Sequence, residues 1–243
     1  KELAVVYQPI LDLATGTTHS AEALIRLMLP DGGVVPPGEF VPHVERTPLV
    51  RDLTFLVLAD ALASAELWSN EGHDLGVAVN IPYRLLDDPQ FADGLASLVR
   101  ASNVQPSRVT LEVVPASPGA GAELDDEVLA RLAALGVRLS LDDGGRAASF
   151  AALRVLPLDE LKIDAGFVHG LGRSATDAAL VHGMIDIGHA LGLSVVAEGV
   201  ETRQAWNVLT DWGCDYAQGF YVASPRTPEE LIEWLNGRWP AVA

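Results

Sequence analysis

Short apolar runs that end on polar residues are the feature of this chain that most constrains its fold. Eight of these runs follow one another along the 243 residues, and each ends on, or close to, a side chain that could bind a metal ion or a phosphate. In a parallel β-barrel the carboxyl ends of the strands converge on one face, and the active site forms there. The pattern therefore predicts a barrel whose functional residues lie at the strand ends. These residues are Gln8, Glu22, Asn80, Glu112, Asp142, Asp143, Lys162, Asp164, Glu198, Glu201 and Gln218.

The segments between the runs predict how the strands are connected. Most have apolar residues three and four positions apart, and several carry helix-start signals such as Thr227 followed by Pro228. Strands that alternate with helices indicate a parallel sheet covered by helices. The first link is different, because only LDLATGTTHS joins the first two runs and its Thr15-Gly16 pair is typical of a tight turn. We therefore predict an α/β fold, a TIM-like (β/α)8 barrel with the first strand antiparallel, spanning residues 1–243 as a single domain.

Charge and cysteine content exclude several classes of function. The formal net charge of −17 disfavours nucleic-acid duplexes and anionic membranes as partners, because both attract a basic surface. The single cysteine, Cys214, excludes an intrachain disulfide and a cysteine-based zinc cluster, and we expect it to be a small packed residue. A chain with one cysteine fits a reducing compartment, so we expect a cytoplasmic domain.

The start of the chain and its longest apolar segment bear on its context. The chain opens with Lys1 and runs almost at once into a strand-like segment, so we expect a domain excised from a longer multidomain protein. The helical segment 48–68 is interrupted by Arg51, Asp52 and Asp60 and is too broken to span a bilayer. Whether the full-length protein is membrane-anchored stays open.

Five carboxylates are predicted to share one face of the barrel, where they would repel one another and raise each other's pKa. Divalent cations relieve that repulsion, and oxygen ligands select magnesium, manganese or calcium over zinc. Two adjacent aspartates can serve two ions about 3.5–4 Å apart, which orient a water and stabilise the attacking and leaving oxygens of a phosphodiester. The five are Glu22, Glu112, Asp142, Asp143 and Glu198.

Two cations and an amide complete the predicted chemistry. Asn80 adds a neutral oxygen ligand, Lys162 would hold the attacking hydroxide or the charge developing on phosphorus, and Arg26 is a candidate phosphate ligand. For single residues, purely structural roles stay open as alternatives. Any one acid could simply cap the following helix, Asp164 could pair with Lys162, and Gln218 could satisfy only backbone groups.

Eight short segments of this chain resemble those of the EAL domain, the family of cyclic di-GMP phosphodiesterases. They occur in the family's order and at family-like spacing across nearly the whole chain, which makes the resemblance far more specific than any single three-letter match. The segments are YQPI at 7–10, EALIR at 22–26, VNI at 79–81, LEV at 111–113, DD at 142–143, LKID at 161–164, AEGVET at 197–202 and QGF at 218–220.

The resemblance implies hydrolysis of one phosphodiester of cyclic di-GMP to linear pGpG with two Mg²⁺ or Mn²⁺ ions. It also implies a role in bacterial signalling, a possible homodimer, and fusion to sensory or diguanylate cyclase domains. The first ion would be held by Glu22, Asn80, Glu112 and Asp142, and the second by Asp142, Asp143 and Glu198. The implied catalytic residues are Glu22, Asp143, Glu198 and Lys162, and of these Lys162 would contact the nucleophilic water. The nucleotide site would be lined by Gln8, Leu24, Arg26, Asp164, Glu201 and Gln218.

Two departures from the family pattern favour a slow or activation-dependent enzyme. Where the family reads D-D-F-G-T-G-Y-S, this chain reads DDGGRAAS, with Gly144 in place of Phe and Ala148 in place of Tyr. The second glutamate of the family's L-E-x-x-E segment, which anchors that loop, is here Pro115. If the loop is the defect, reinstating its residues and a glutamate at 115 should restore activity. The alternatives are a cyclic di-GMP receptor or protein-interaction module without turnover and, less favoured, another magnesium-dependent barrel enzyme.

Overall fold

Eight strands close into a barrel in the computed structural model, which describes residues 2–114, 126–144 and 152–237. Each strand pairs with the next in the order β1, β2, β4, β5, β6, β7, β8, β9, and β9 pairs back onto β1. The two-residue strand β3 (Val34–Val35) adds to the edge of β2 outside this ring. The barrel strands are β1 (Leu3–Asp12), β2 (Thr18–Met28), β4 (Gly76–Pro82), β5 (Val109–Val114), β6 (Arg138–Gly144), β7 (Glu160–Ile163), β8 (Ser194–Ala197) and β9 (Tyr216–Ala217).

The first strand runs against its neighbours, as the short first link predicts. β1 is antiparallel to both β2 and β9, whereas the pairings from β2 round to β9 are parallel. The turn between β1 and β2 is held by the Asp12 carboxylate, which accepts hydrogen bonds from the amides of Ala14 and Thr15. Gly16 follows with a φ of 69°, a left-handed conformation that glycine adopts at little cost. The predicted fold class, a TIM-like barrel with a reversed first strand, is confirmed.

Helices cover the outside of the barrel. The last helix begins with a capping box, in which the Thr227 hydroxyl accepts from the amide of Glu230 and the Glu230 carboxylate accepts from the amide of Thr227. Within the described ranges, no helix combines the length and hydropathy needed to cross a bilayer. The helices are α1 (Pro37–Val44), α2 (Leu49–Asn70), α3 (Pro89–Ala101), α4 (Asp126–Ala134), α5 (Ala165–Val168), α6 (Ala175–Ala190), α7 (Arg203–Asp211) and α8 (Pro228–Asn236).

The strands divide apolar from polar side chains between their two faces. Successive residues of a strand point to opposite faces, so Leu111 and Val113 of β5 face the helices while Glu112 faces the barrel interior. In β7, Leu161 likewise packs in the apolar core and Lys162 points inward, where it meets Glu112. The apolar core therefore lies between barrel and helices, which leaves polar groups inside the barrel.

Burial makes the thiol of the single cysteine unreactive. Cys214 is 4% exposed, with its Sγ 3.5 Å from the carbonyl oxygen of Val195. Burial, together with the charge of Asp215, raises the pKa of the Cys214 thiol to about 12. The expectation of a packed cysteine is thus confirmed.

Native protein is therefore expected to react very slowly with thiol reagents, because roughly one thiol in 10⁴ is ionised at pH 8. The labelling rate should rise about tenfold per pH unit up to the pKa, and one equivalent should react at once in denaturant. The absorbance change on reaction with a chromogenic disulfide reagent measures both the labelling rate and the number of thiols that react. Fast labelling of folded protein at pH 8 would contradict the burial.

Candidate active site

Strand register brings the predicted residues to one end of the barrel. Gln8 of β1 lies directly opposite Glu22 of β2, and Asn80 of β4 lies beside Glu112 of β5. The parallel strands all end at this face, so residues far apart in sequence become neighbours. The Asn80 side-chain amide donates to Glu22 Oε1 over 2.7 Å, although 58 residues separate the two.

The ammonium of Lys162 lies among three glutamates. Its Nζ is 2.7 Å from Glu198 Oε1, 2.8 Å from Glu112 Oε1 and 3.4 Å from Glu22 Oε2. The Lys162 side chain is 0% exposed, and the carboxylates raise its pKa well above the usual value despite the opposing effect of burial. Lys162 therefore remains charged and is the internal counter-ion of this cluster.

Glu22 is held as a carboxylate by its neighbours. Burial alone would raise its pKa, but the charge of Lys162 and hydrogen bonds from Gln218 and Asn80 outweigh burial and lower it. The Gln218 amide donates to Glu22 Oε2 at 2.7 Å and lies 3.0 Å from Gln8 Oε1. Gln8 in turn donates to the carbonyl oxygen of Ala223. This relay fixes the orientation of Glu22, and it shows that Gln218 does more than satisfy backbone groups.

Glu112 and Glu198 have the opposite electrostatic character. Burial, the negative charge of Glu22 and that of Asp142 raise the pKa of Glu112 well above its ordinary value, even though Lys162 opposes the shift. Burial also raises the pKa of Glu198 to about 7, with Asp142 and Glu22 adding to the effect. These carboxylates compete for too little positive charge, so the cluster can accommodate more cation than Lys162 supplies.

The aspartate pair lies at an irregularity in the sheet. The register between β6 and β7 shifts between Leu141 and Gly144, and bulges of this kind re-aim side chains at active sites. Asp143 has a φ of 56°, a left-handed conformation uncommon outside glycine, and its amide donates to Asp142 Oδ1 at 2.7 Å. Both aspartates are partly exposed, and the charge of Asp142 acts on Glu112 and Glu198.

The donor set fits divalent metal ions, although the carboxylates presently surround Lys162. Among the described residues no three His, Cys, Asp or Glu side chains are arranged to hold an ion as they stand. Glu112 Oε2, however, is buried and has no hydrogen-bond donor within the described ranges. A buried oxygen with no donor, surrounded by further oxygen ligands, matches what magnesium or manganese requires.

The other residues that the family resemblance assigns to the nucleotide site make contacts of their own. Leu24 lines a cavity of about 780 Å³ next to Asn80. Burial lowers the pKa of Arg26 and the charge of Glu22 opposes this, and the guanidinium donates to the carbonyl oxygen of Ile25. Asp164 caps α5 by accepting from the amide of Gly166, and Glu201 lies 3.5 Å from His169 Nε2. Sequence predicted all four as nucleotide-site residues, a role that stays a prediction.

The cavity beside Asn80 contains residues that sequence reasoning missed. Its walls come from β2, α1, α2 and the end of β4, and they include Val41, Pro42, Val57 and Tyr83. These side chains belong to ordinary apolar patterns, which in the sequence indicate a core. Only their position, open beside a carboxylate cluster, makes them candidates for contact with a flat apolar group such as a nucleobase.

Gly144 is required by a close approach of two strands. A Cβ at this position would lie 2.2 Å from the Lys162 carbonyl oxygen, so any side chain forces β6 and β7 apart. The glycine that stands where the family pattern has phenylalanine therefore lies where β6 approaches β7 closely, beside Asp143. The rest of the departure, Pro115 and Ala148 with its neighbours in DDGGRAAS, lies outside the described residues.

We therefore expect Gly144→Ala to destabilise the domain by about 1–3 kcal/mol through overpacking. Gly183→Ala is the matched control, because a Cβ there meets nothing within 4 Å and the residue lies inside α6. That control should be neutral or stabilising by up to about 1 kcal/mol. Urea unfolding of both variants measures the difference, and equal stability of the two would contradict the close approach.

Comparison with known proteins identifies the family. The family model of the EAL domain matches residues 1–225. Two relatives from Pseudomonas aeruginosa, the cyclic di-GMP phosphodiesterase PA2567 and the bifunctional diguanylate cyclase/cyclic di-GMP phosphodiesterase MucR, are each 35% identical over 96% of this chain. The chain spans 40% and 34% of their respective lengths. The solved structure of the PaMucR phosphodiesterase in complex with c-di-GMP superposes with a TM-score of 0.87 at 35% identity, covering 95% of this chain and 94% of that one. The chain belongs to the EAL domain family.

Proposed function

We propose that this domain hydrolyses one phosphodiester bond of cyclic di-GMP and releases linear pGpG in a reaction that depends on divalent metal ions. The observation that carries the proposal is the cluster of Glu22, Glu112 and Glu198 around the buried ammonium of Lys162. Similar proteins named cyclic di-GMP phosphodiesterases support the choice of substrate.

Two Mg²⁺ or Mn²⁺ ions would be held by the oxygen donors of the cluster. Glu22, Asn80, Glu112 and Asp142 are the ligands for the first ion, and Asp142, Asp143 and Glu198 are those for the second. The chemistry such ions supply is Lewis-acid stabilisation of phosphate charge and a lower pKa for water. The unpartnered Glu112 Oε2 and the raised pKa of Glu198 support this assignment.

The other side chains of the site have separate roles in this proposal. Lys162 presents a compact positive charge that stabilises a nearby oxyanion. Gln218 and Gln8 keep Glu22 in one orientation. Leu24 and the apolar cavity beside Asn80 receive a guanine base, while Arg26, Asp164 and Glu201 complete the nucleotide site at the rim.

The test is chromatography of nucleotides after incubation of purified protein with cyclic di-GMP and Mg²⁺ or Mn²⁺. We expect pGpG to form with either metal, and no product when a chelator is present. Glu22→Gln is the matched inactive variant, and Glu127→Gln, an exposed glutamate on α4, is its control. Absence of pGpG at high protein concentration and long incubation would reject hydrolysis.

A cyclic di-GMP receptor without turnover is the second candidate. The observation that favours it is that Lys162 already pairs with Glu112 and Glu198, so metal ions must compete with an internal cation. Calorimetry separates the candidates: tight nucleotide binding without pGpG supports a receptor, and no nucleotide binding points to a protein partner. For either candidate function we further propose a cytoplasmic location, fusion to sensory or diguanylate cyclase domains, and a possible homodimer.

A further inference from the structure

A second cavity lies at the opposite end of the barrel from the active-site cluster. It has a volume of about 350 Å³ and is lined by the first residues of β2, β4, β5 and β6 and by the segment before β5. Ser20 lies two residues before Glu22 in β2, and Thr110 lies two before Glu112 in β5. The parallel strands therefore place one polar chamber at their amino ends and another at their carboxyl ends.

The charged side chains that line this cavity are basic, although the chain as a whole is acidic. The chain has 33 acidic residues and 16 Lys and Arg, yet the cavity is lined by Arg108 and Arg138 and by no carboxylate among the described residues. Two acidic residues pair with these arginines. Asp74, which is largely exposed, pairs with Arg108, and Glu160 Oε2 is 3.7 Å from Arg138 Nη2, beyond hydrogen-bond length.

Arg138 has a donor that the described residues do not satisfy. Its Nη2 donates to Ser194 Oγ at 2.8 Å, but its Nε is buried and has no acceptor within the described ranges. Buried donors almost always have a partner, and this exception belongs to a side chain that lines a polar cavity, where a water or a ligand can supply an acceptor. Because guanidinium groups bind oxyanions in a forked geometry, the missing acceptor is well matched by a phosphate oxygen.

The other lining groups suit the same ligand. Burial lowers the pKa of His19, the positive charges of Arg138 and Arg108 lower it further, and the negative charge of Asp12 opposes them. The His19 ring is held by stacking on Tyr216, with centroids 4.2 Å apart. The hydroxyls of Ser20, Ser107 and Thr110 add neutral donors around the cavity.

We propose that this cavity binds a small oxyanion through Arg138 and Arg108, either inorganic phosphate or the phosphate of a phosphomonoester. The site is separate from the active-site cluster, and it does not depend on the activity proposed for that cluster.

The experiment is a phosphate titration of the ¹⁵N-labelled domain, metal-free and at constant ionic strength, followed by amide chemical shifts. We expect saturable shifts at Gly76 and Ser107, which line the cavity, and none at Asn80 or Glu198. Arg138→Gln and Arg108→Gln should each weaken binding by at least about tenfold. Arg100→Gln, on the exposed face of α3, is the matched control and should bind as wild type.

A parallel titration with glycerol 3-phosphate distinguishes the two sources, since the tighter ligand identifies which is preferred. If Arg138→Gln does not fold, Arg108→Gln decides, because its arginine is one-third exposed and pairs at the surface. Shifts that do not saturate, shifts confined to the active-site end, or undiminished binding in Arg108→Gln would overturn the proposal.

Discussion

Replacing Lys162 with methionine is expected to lower phosphodiesterase activity by at least about a hundredfold and to destabilise the metal-free domain by about 3–5 kcal/mol. Methionine keeps the length of the side chain but removes the charge that faces Glu112, Glu198 and Glu22. The buried carboxyl groups of Glu22 and Glu112 and the partly exposed one of Glu198 then lose this counter-ion. Urea unfolding in a chelator and pGpG chromatography measure the two effects.

The choice of lysine itself supports this expectation. Lys162 and Lys1 are the two lysines among 16 Lys and Arg residues, so the chain uses arginine nearly everywhere else. A guanidinium is larger and planar, whereas an ammonium is a compact point charge. Lys162→Arg should therefore fail to recover activity even though it restores the charge.

Metal affinity provides a further readout for the same variant. Because Lys162 and metal ions attract the same carboxylates, Lys162→Met should bind Mn²⁺ more tightly than wild type in calorimetry. Arg100→Met is the control for both stability and affinity. Unchanged stability of Lys162→Met would show that the glutamates do not depend on this ammonium.

Glu112→Gln is expected to separate activity from stability. Activity should fall by at least about a hundredfold, because the carboxylate proposed to hold the first metal ion is lost. Stability of the metal-free domain should rise by about 0.5–2 kcal/mol, as is common when a functional site is relaxed. The reason is that burial and the charge of Glu22 raise the pKa of Glu112, so its ionised form is disfavoured in the folded protein.

Two further variants make this result interpretable. Glu112→Ala removes the same carboxylate but leaves a cavity at a fully buried position, so it should lose both activity and stability. Glu127→Gln repeats the chemical change at an exposed position and should change neither. Full activity in Glu112→Gln, or a marked loss of its stability, would contradict the assigned role.

The sequence was sufficient for the fold because the signals involved are local. Apolar runs, helix caps and the Thr15-Gly16 turn each depend on a few adjacent residues, and together they predicted the barrel and its reversed first strand. Because parallel strand ends meet at one face, the same signals predicted that Glu22, Asn80, Glu112, Lys162 and Glu198 lie together. The structure places them in one cluster.

Tertiary structure alone decided which groups touch and what their charges do. Lys162 meets a glutamate 140 residues earlier in the chain, and Gln218 meets Gln8 across 210 residues. The contact of Gly144 with Lys162, the open wall beside Asn80 and the arginine-lined cavity at the far end depend equally on strand register. Local periodicity fixes which residues point into the barrel, but only closure of the ring determines which of them share the same few ångströms and how burial shifts their charges.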